Sequence, residues 1–235
     1  MSQINNKKAE YYSSSDVVDN YDARRFVRGG GNFVSSKEEA SIASLLKMSS
    51  VGAGRTALDC PTGTGRLIPL LKKYGFNVTA ADISKTMLSR AEQYKASHYL
   101  NESADDISLG NNSVDLWLMS RFCFHFEDPR SFMREAFRVL NFNGYLIADF
   151  YNWTPRSWIP GDQAWLGGRT YTHSKIQVTE FATEIGFSVV KVLPVFAVAP
   201  YLYSFVPNMV AASIELASEL LPESMRAKSY YLFKK

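Results

Sequence analysis

Short apolar runs of strand length alternate with helical patterns from residue 56 to residue 151, and few folds accept that rhythm. Thr56-Ala57-Leu58-Asp59-Cys60 reads as a first strand, followed by a Gly-rich turn and a helix over 65–74 with Pro69 near its first turn. Residues 76–81 form a second strand that ends at Asp82. Ser84 caps the next helix, which buries Met87, Leu88, Ala91 and Tyr94. Strands follow at 98–100, 114–120 and 145–151. Between the last two, a helix starts at Asp128-Pro129, with Pro129 at its first position, and Asn143-Gly144 makes a turn. Strands that alternate with helices run parallel and are covered on both faces. Their crossovers are right-handed, so the sheet is expected to be doubly wound.

The flanks are less regular. Residues 15–28 suit a helix carrying Val17, Val18, Tyr21 and Phe26, and Gly29-Gly30-Gly31-Asn32 reads as a breaker. A second helix follows, with Ser35 and Glu38 at capping-box spacing and Ile42, Leu45 and Leu46 on its buried face. Beyond 151 come a Trp-, Pro- and Gly-rich insertion (152–170), a helix over 174–185 that stops at Gly186, and a strand over 187–195. An apolar, Pro-interrupted stretch (196–224) and a closing strand (230–233) complete the chain and bring the strand count to seven. The expected division is a helical cap (1–50), a core (51–195, with the insertion 152–170), and a lid-like insertion with the final strand (196–235). A length of 235 residues suits one α/β domain with additions.

Composition narrows the function classes. The net charge is only +3, carried by scattered pairs such as Lys72-Lys73, so no nucleic-acid partner is expected. Cys60 and Cys123 lie in apolar stretches and suggest buried thiols, with no disulfide framework and no metal site. Residues 1–8 are polar and unlike a leader peptide, which points to the cytoplasm. Pro200, Pro207 and Glu215 argue against a membrane span in the apolar stretch.

Two acids and two glycines mark a ligand crevice. Asp59 and Asp82 end neighbouring strands, at the edge where open α/β sheets bind ligands. A carboxylate at position 82 can accept from both hydroxyls of a ribose, and one at position 59 can bind an amine. Gly63 and Gly65 carry no β-carbon, so a ligand can approach the backbone closely.

The segment Ala57-Leu58-Asp59-Cys60-Pro61-Thr62-Gly63-Thr64-Gly65 resembles the cofactor loop of class I S-adenosylmethionine (SAM)-dependent methyltransferases, especially those acting on small molecules. Pro61 stands where that family has its first glycine. The likeness continues through Asp82-Ile83-Ser84-Lys85-Thr86-Met87-Leu88, Ser113-Val114-Asp115, Phe124-His125-Phe126 and Arg138-Val139-Leu140-Asn141-Phe142-Asn143-Gly144, and spans roughly residues 55–150. It implies a Rossmann-like fold, with SAM as cofactor and S-adenosylhomocysteine (SAH) as product. It places Asp59, Pro61, Gly63, Thr64 and Gly65 in the cofactor loop and Asp82 on the ribose. Ile83 and Met87 flank the adenine, Ala104, Asp105 and Asp106 lie near its amino group, and Ser120 ends the fourth strand beside the crevice. Met87 equally suits plain core. Tyr21 either covers the cofactor or anchors the first helix, and His125 is either a general base near the methyl or a packed histidine.

The competing functions are separable. A nicotinamide fingerprint needs a third glycine where Ile68 stands. Amino methylation of nucleobases favours an Asn/Asp-Pro-Pro motif after the fourth strand, where this chain has Ser120-Arg121-Phe122-Cys123. A protein or RNA methyltransferase and a non-catalytic SAM-binding protein remain alternatives. The expected reaction is O- or N-methylation of a small molecule. Trp153, Trp158, Trp165 and the aromatic residues of 196–210 suggest an apolar or aromatic acceptor.

Overall fold

The computed structural model describes residues 30–160, 168–218 and 220–235. Its elements, in chain order, are α1 (Gly31–Ser49), β1 (Thr56–Asp59), α2 (Ile68–Lys73), β2 (Asn77–Ala81), α3 (Lys85–Ala91), β3 (His98–Leu100), β4 (Val114–Met119), α4 (Arg130–Val139), β5 (Leu140–Tyr151), α5 (Lys175–Ile185), β6 (Ser188–Val195), α6 (Asn208–Ser218) and β7 (Lys228–Lys234). One seven-stranded sheet runs in the order β3-β2-β1-β4-β5-β7-β6. All neighbours pair in parallel except β7, which is antiparallel to both β5 and β6. The expected doubly wound, mostly parallel sheet of seven strands is therefore present.

Side chains alternate across each strand. Ala57, Leu116, Leu118, Ile147, Tyr230 and Leu232 face one core with Ile42 and Leu45 of α1, Leu71 of α2 and Ala211 of α6. Leu58, Trp117, Met119, Ala148, Tyr231 and Phe233 face the other, with Phe132 and Met133 of α4 and Val178 of α5. Sheet order reverses at β1, which lies between β2 and β4. The crevice outside the carboxyl ends of β1 and β4 is the switch point where such sheets take ligands.

Local signals explain several boundaries. Ser174 and Gln177 form a reciprocal capping box at the start of α5, and Gly186 ends that helix at φ 109°. A β-carbon on Gly186 would sit 3.0 Å from Phe137. Ser84 caps α3 by accepting from the Met87 N–H.

Other expectations need correction. Helix α1 begins at Gly31, with Gly30 as its cap and no capping side chain. Gly30 donates its N–H to the Tyr203 carbonyl (3.1 Å), and a β-carbon there would lie 2.4 Å from that oxygen. Ser35 and Glu38 therefore lie inside the helix, and no capping box forms. Helix α2 starts at Ile68 rather than Gly65, because Pro69 is stable only within a helix's first turn. Pro129 is the cap residue of α4 rather than its first residue. The Asn143-Gly144 turn is absorbed into β5 as an irregularity opposite Val114–Leu116, with Asn143 at φ 66°. Asp115 on β4 accepts from the Thr56 N–H (2.9 Å) and hydroxyl (3.0 Å) and from Asn141 (3.0 Å).

The 196–224 stretch is packed at a few anchor positions and exposed between them, as at Phe205, Met209 and Leu220. Phe196, Ala199 and Tyr203 are buried. Buried Glu215 of α6 accepts from the N–H groups of Phe196 (2.9 Å) and Ala197 (3.0 Å) and from the Tyr203 hydroxyl (2.9 Å). No described helix is long and apolar enough to cross a membrane.

Candidate cofactor site

The turn after β1 is held by backbone. Cys60 donates to Leu118 on β4 (3.1 Å), and Thr62 donates to Ala81 on β2 (2.8 Å), so the loop spans the mouth between its neighbours. Asp59 is buried and accepts from the Thr62 hydroxyl (2.7 Å). Burial pushes its carboxyl up to about 7, against lowering by the Thr62 hydrogen bond and by the Arg66 charge. Asp82 is also buried. It accepts from the Gly63 N–H (2.8 Å) and the Ser84 N–H (2.9 Å), and burial raises it to about 6. Among the described residues, no cation forms an ion pair with either acid.

The two glycines do different work. Gly63 has φ 55° and open space where a β-carbon would stand, as close approach by a ligand requires. At Gly65 (φ 83°) a β-carbon would lie 2.7 Å from the Ala91 β-carbon, so this glycine admits helix α3 rather than a ligand.

Other positions fall around this centre. Ile83 is 43% exposed at the mouth, whereas Met87 is 3% exposed behind it. Asn101, past β3, donates to the carbonyls of Asp82 (2.9 Å) and Ile83 (2.9 Å) and fastens that turn. Ala104 is buried, Asp105 accepts from the Ser103 hydroxyl, and Asp106 is exposed. The Ser120 hydroxyl is buried just past β4 with no hydrogen-bond partner. His125 ends a short turn over Cys123–His125, its ring 4.5 Å from that of Phe124. Phe124 in turn meets Tyr151 edge to face at 4.7 Å. Tyr21 and Trp165 lie outside the described residues.

Residues 58–148 match the model of a methyltransferase domain. That segment is similar in sequence to methyltransferase domains, and it covers under half of the chain. A malonyl-[acyl-carrier protein] O-methyltransferase of Pectobacterium atrosepticum is 31% identical over 107 residues, covering 43% of this chain and 42% of that protein. The match thus spans under half the length of that curated relative. Among solved structures, the fold is similar to that of magnesium protoporphyrin IX methyltransferase from Synechocystis PCC 6803 with bound SAH (TM-score 0.69, 16% identity, 97% of this chain and 99% of that one). It is also similar to an S-adenosylmethionine dependent methyltransferase from Mesorhizobium loti (TM-score 0.61, 19% identity, 82% of this chain and 96% of that one). These likenesses concern the fold.

Thr62, Arg66, Asn101 and Arg121 were not singled out in the sequence. Arg66, Asn101 and Arg121 fasten loops through hydrogen bonds to residues 28, 19 and 83 positions away, which no local pattern displays, whereas the Thr62 hydroxyl reaches Asp59 only three positions back.

Proposed function

We propose that the chain uses SAM to methylate an oxygen or nitrogen of a small molecule in the cytoplasm. The observation that supports this best is the buried pair Asp59 and Asp82 beside open Gly63, neither of them in an ion pair among the described residues. Burying an unpaired carboxylate is costly, and a cationic or hydroxyl-rich ligand relieves that cost. Asp59 would meet the ammonium of the methionine part. Asp82 has acceptor directions left beyond its two N–H partners for the ribose hydroxyls. Ile83 and Met87 would flank the adenine, with Ala104, Asp105 and Asp106 beside it. Pro61, Thr64 and Ser120 would line the remaining wall.

Bound SAM supplies a methyl already activated on a sulfonium. The chain's own task is to hold the acceptor in line and exclude water. His125 is the proposed base where the acceptor must lose a proton. Phe124 and Tyr151, in edge-to-face contact, would offer an aromatic wall for an apolar acceptor. An O-methyltransferase among the relatives favours oxygen. We assign α1 to a cap beside the cleft and the stretch after residue 196 to its acceptor side.

The test is transfer of labelled methyl from SAM to a panel of small carboxylic, hydroxylic and amino acceptors, with carrier-bound acyl groups, protein and RNA as separate arms. Label on a small acceptor supports the proposal. Label confined to protein or RNA, or SAH binding without transfer to any arm, would overturn it.

A further inference from the structure

Helix α1 reaches the cofactor loop through one side chain. Arg66 follows Gly65, and its guanidinium donates to Ser35 (3.0 Å), Glu38 (3.0 Å) and Glu39 (3.2 Å). Positions 35, 38 and 39 are spaced i, i+3, i+4 and share one helix face. Glu38 is fully buried, and it also receives Arg121 Nε (3.0 Å to each oxygen) and Lys228 Nζ (2.9 Å). Arg121 stands just past β4 at φ 59°, a conformation uncommon for a side-chain-bearing residue, and Asp149 accepts its backbone N–H. One carboxylate therefore ties together the loop after β1, the turn after β4 and the start of β7. These elements frame the crevice.

A packed apolar contact would hold α1 to the sheet as well or better than buried charges do. What a shared carboxylate adds is directional control over two loops at once. We propose that Glu38 is a positioning residue for the cofactor site, setting the Gly63–Gly65 loop through Arg66 and the end of β4 through Arg121. This rests on the SAM assignment made above.

The test is calorimetric titration of SAH into wild type, Glu38→Gln, Arg66→Met and the double variant, each verified as folded at the working temperature. Two residues that act through one another lose binding once, not twice. Each single change is expected to weaken SAH binding by about tenfold, and the double variant no further than the weaker single, by the logic of a double-mutant cycle. Arg66→Met is also expected to move the acid limit of SAH binding to higher pH, because the Arg66 charge helps keep Asp59 ionised. A purely structural Glu38 would lower stability and leave these affinities uncoupled. Binding by Glu38→Gln within about twofold of wild type, or losses that multiply in the double variant, would overturn the proposal while leaving SAM as cofactor. No SAH binding by folded wild type would overturn both. Should Glu38→Gln not fold, Arg121→Met replaces it in the cycle: two arginines that act through one carboxylate lose binding once, and losses that multiply overturn the proposal.

Discussion

Two pairs of buried carboxylates, Glu38 with Asp149 and Asp59 with Asp82, differ in one respect of their surroundings. Glu38 and Asp149 share Lys228 (2.9 Å to each), and Glu38 also pairs with Arg66 and Arg121. Asp59 and Asp82 have only a hydroxyl and two backbone N–H groups. Burial raises the carboxyls of Glu38, Asp59 and Asp82 alike, but at Glu38 the charges of Arg121, Lys228 and Arg66 overcome it and hold the group well below the usual carboxylate range. Asp59 and Asp82 stay raised, to about 7 and about 6. The first pair is neutralised by the protein itself. The second is left for a ligand to complete.

That contrast can be broken at several points. The largest effect is expected from Lys228→Met, which strips the common cation from Glu38 and Asp149. Breaking a buried ion pair costs about 3–5 kcal/mol, so Tm should fall by about 10 °C in thermal unfolding. A loss of only a degree or two would mean that the pair is not the structural element described. Asp59→Asn should do the opposite at pH 8. It removes an unpaired buried charge and keeps the Thr62 contact, so the ligand-free protein gains a few degrees in Tm while SAH binding collapses.

Acidity provides the next comparison. Asp59 and Asp82 titrate higher in the fold than in the unfolded chain, so the fold takes up their protons first. Their contribution to ligand-free stability is full below the ordinary carboxylate value near 4 and is lost as pH rises through about 6 and about 7. Binding that needs both ionised runs the other way: SAH affinity should drop as pH falls from 8 to 6, measured by titration at each pH. Glu38 is depressed, stays charged across that window and adds no slope. An affinity flat across it would contradict the protonation assigned to Asp59.

The glycines sharpen the picture more gently. Gly65→Ala drives a methyl into Ala91 and should lower Tm more than Gly63→Ala. Gly63→Ala should lose more SAH affinity for each degree of Tm lost. The smallest effect is expected at Ser120, whose buried hydroxyl has no partner. Ser120→Ala should leave Tm nearly unchanged and weaken SAH binding by about threefold, roughly one hydrogen bond's net worth.

What was legible in the sequence was what is local. Strand periods, the caps at Ser84 and Ser174 and the stop at Gly186 depend on residues a few positions apart. Asp59 and Asp82 stood out because strand ends can be counted, and their placement beside one turn follows from parallel pairing. Long-range matters were not legible. Glu38 imitates a capping residue at Ser35 plus three, yet its partners lie 28, 83 and 190 residues away. Gly65 looked like a ligand-facing glycine because nothing local shows that Ala91 packs on it. Helix α6 was hidden because a Pro-rich, apolar stretch shows no clean period, and Glu215 anchors it only through tertiary hydrogen bonds.

The most direct measurement is calorimetric titration of SAM and SAH into wild type and Asp82→Ala. Wild type is expected to bind in the micromolar range, about −8 kcal/mol, and a folded Asp82→Ala to show no measurable binding. Failure of folded wild type to bind either compound, or equal binding by Asp82→Ala, would contradict the assignment of this crevice to SAM.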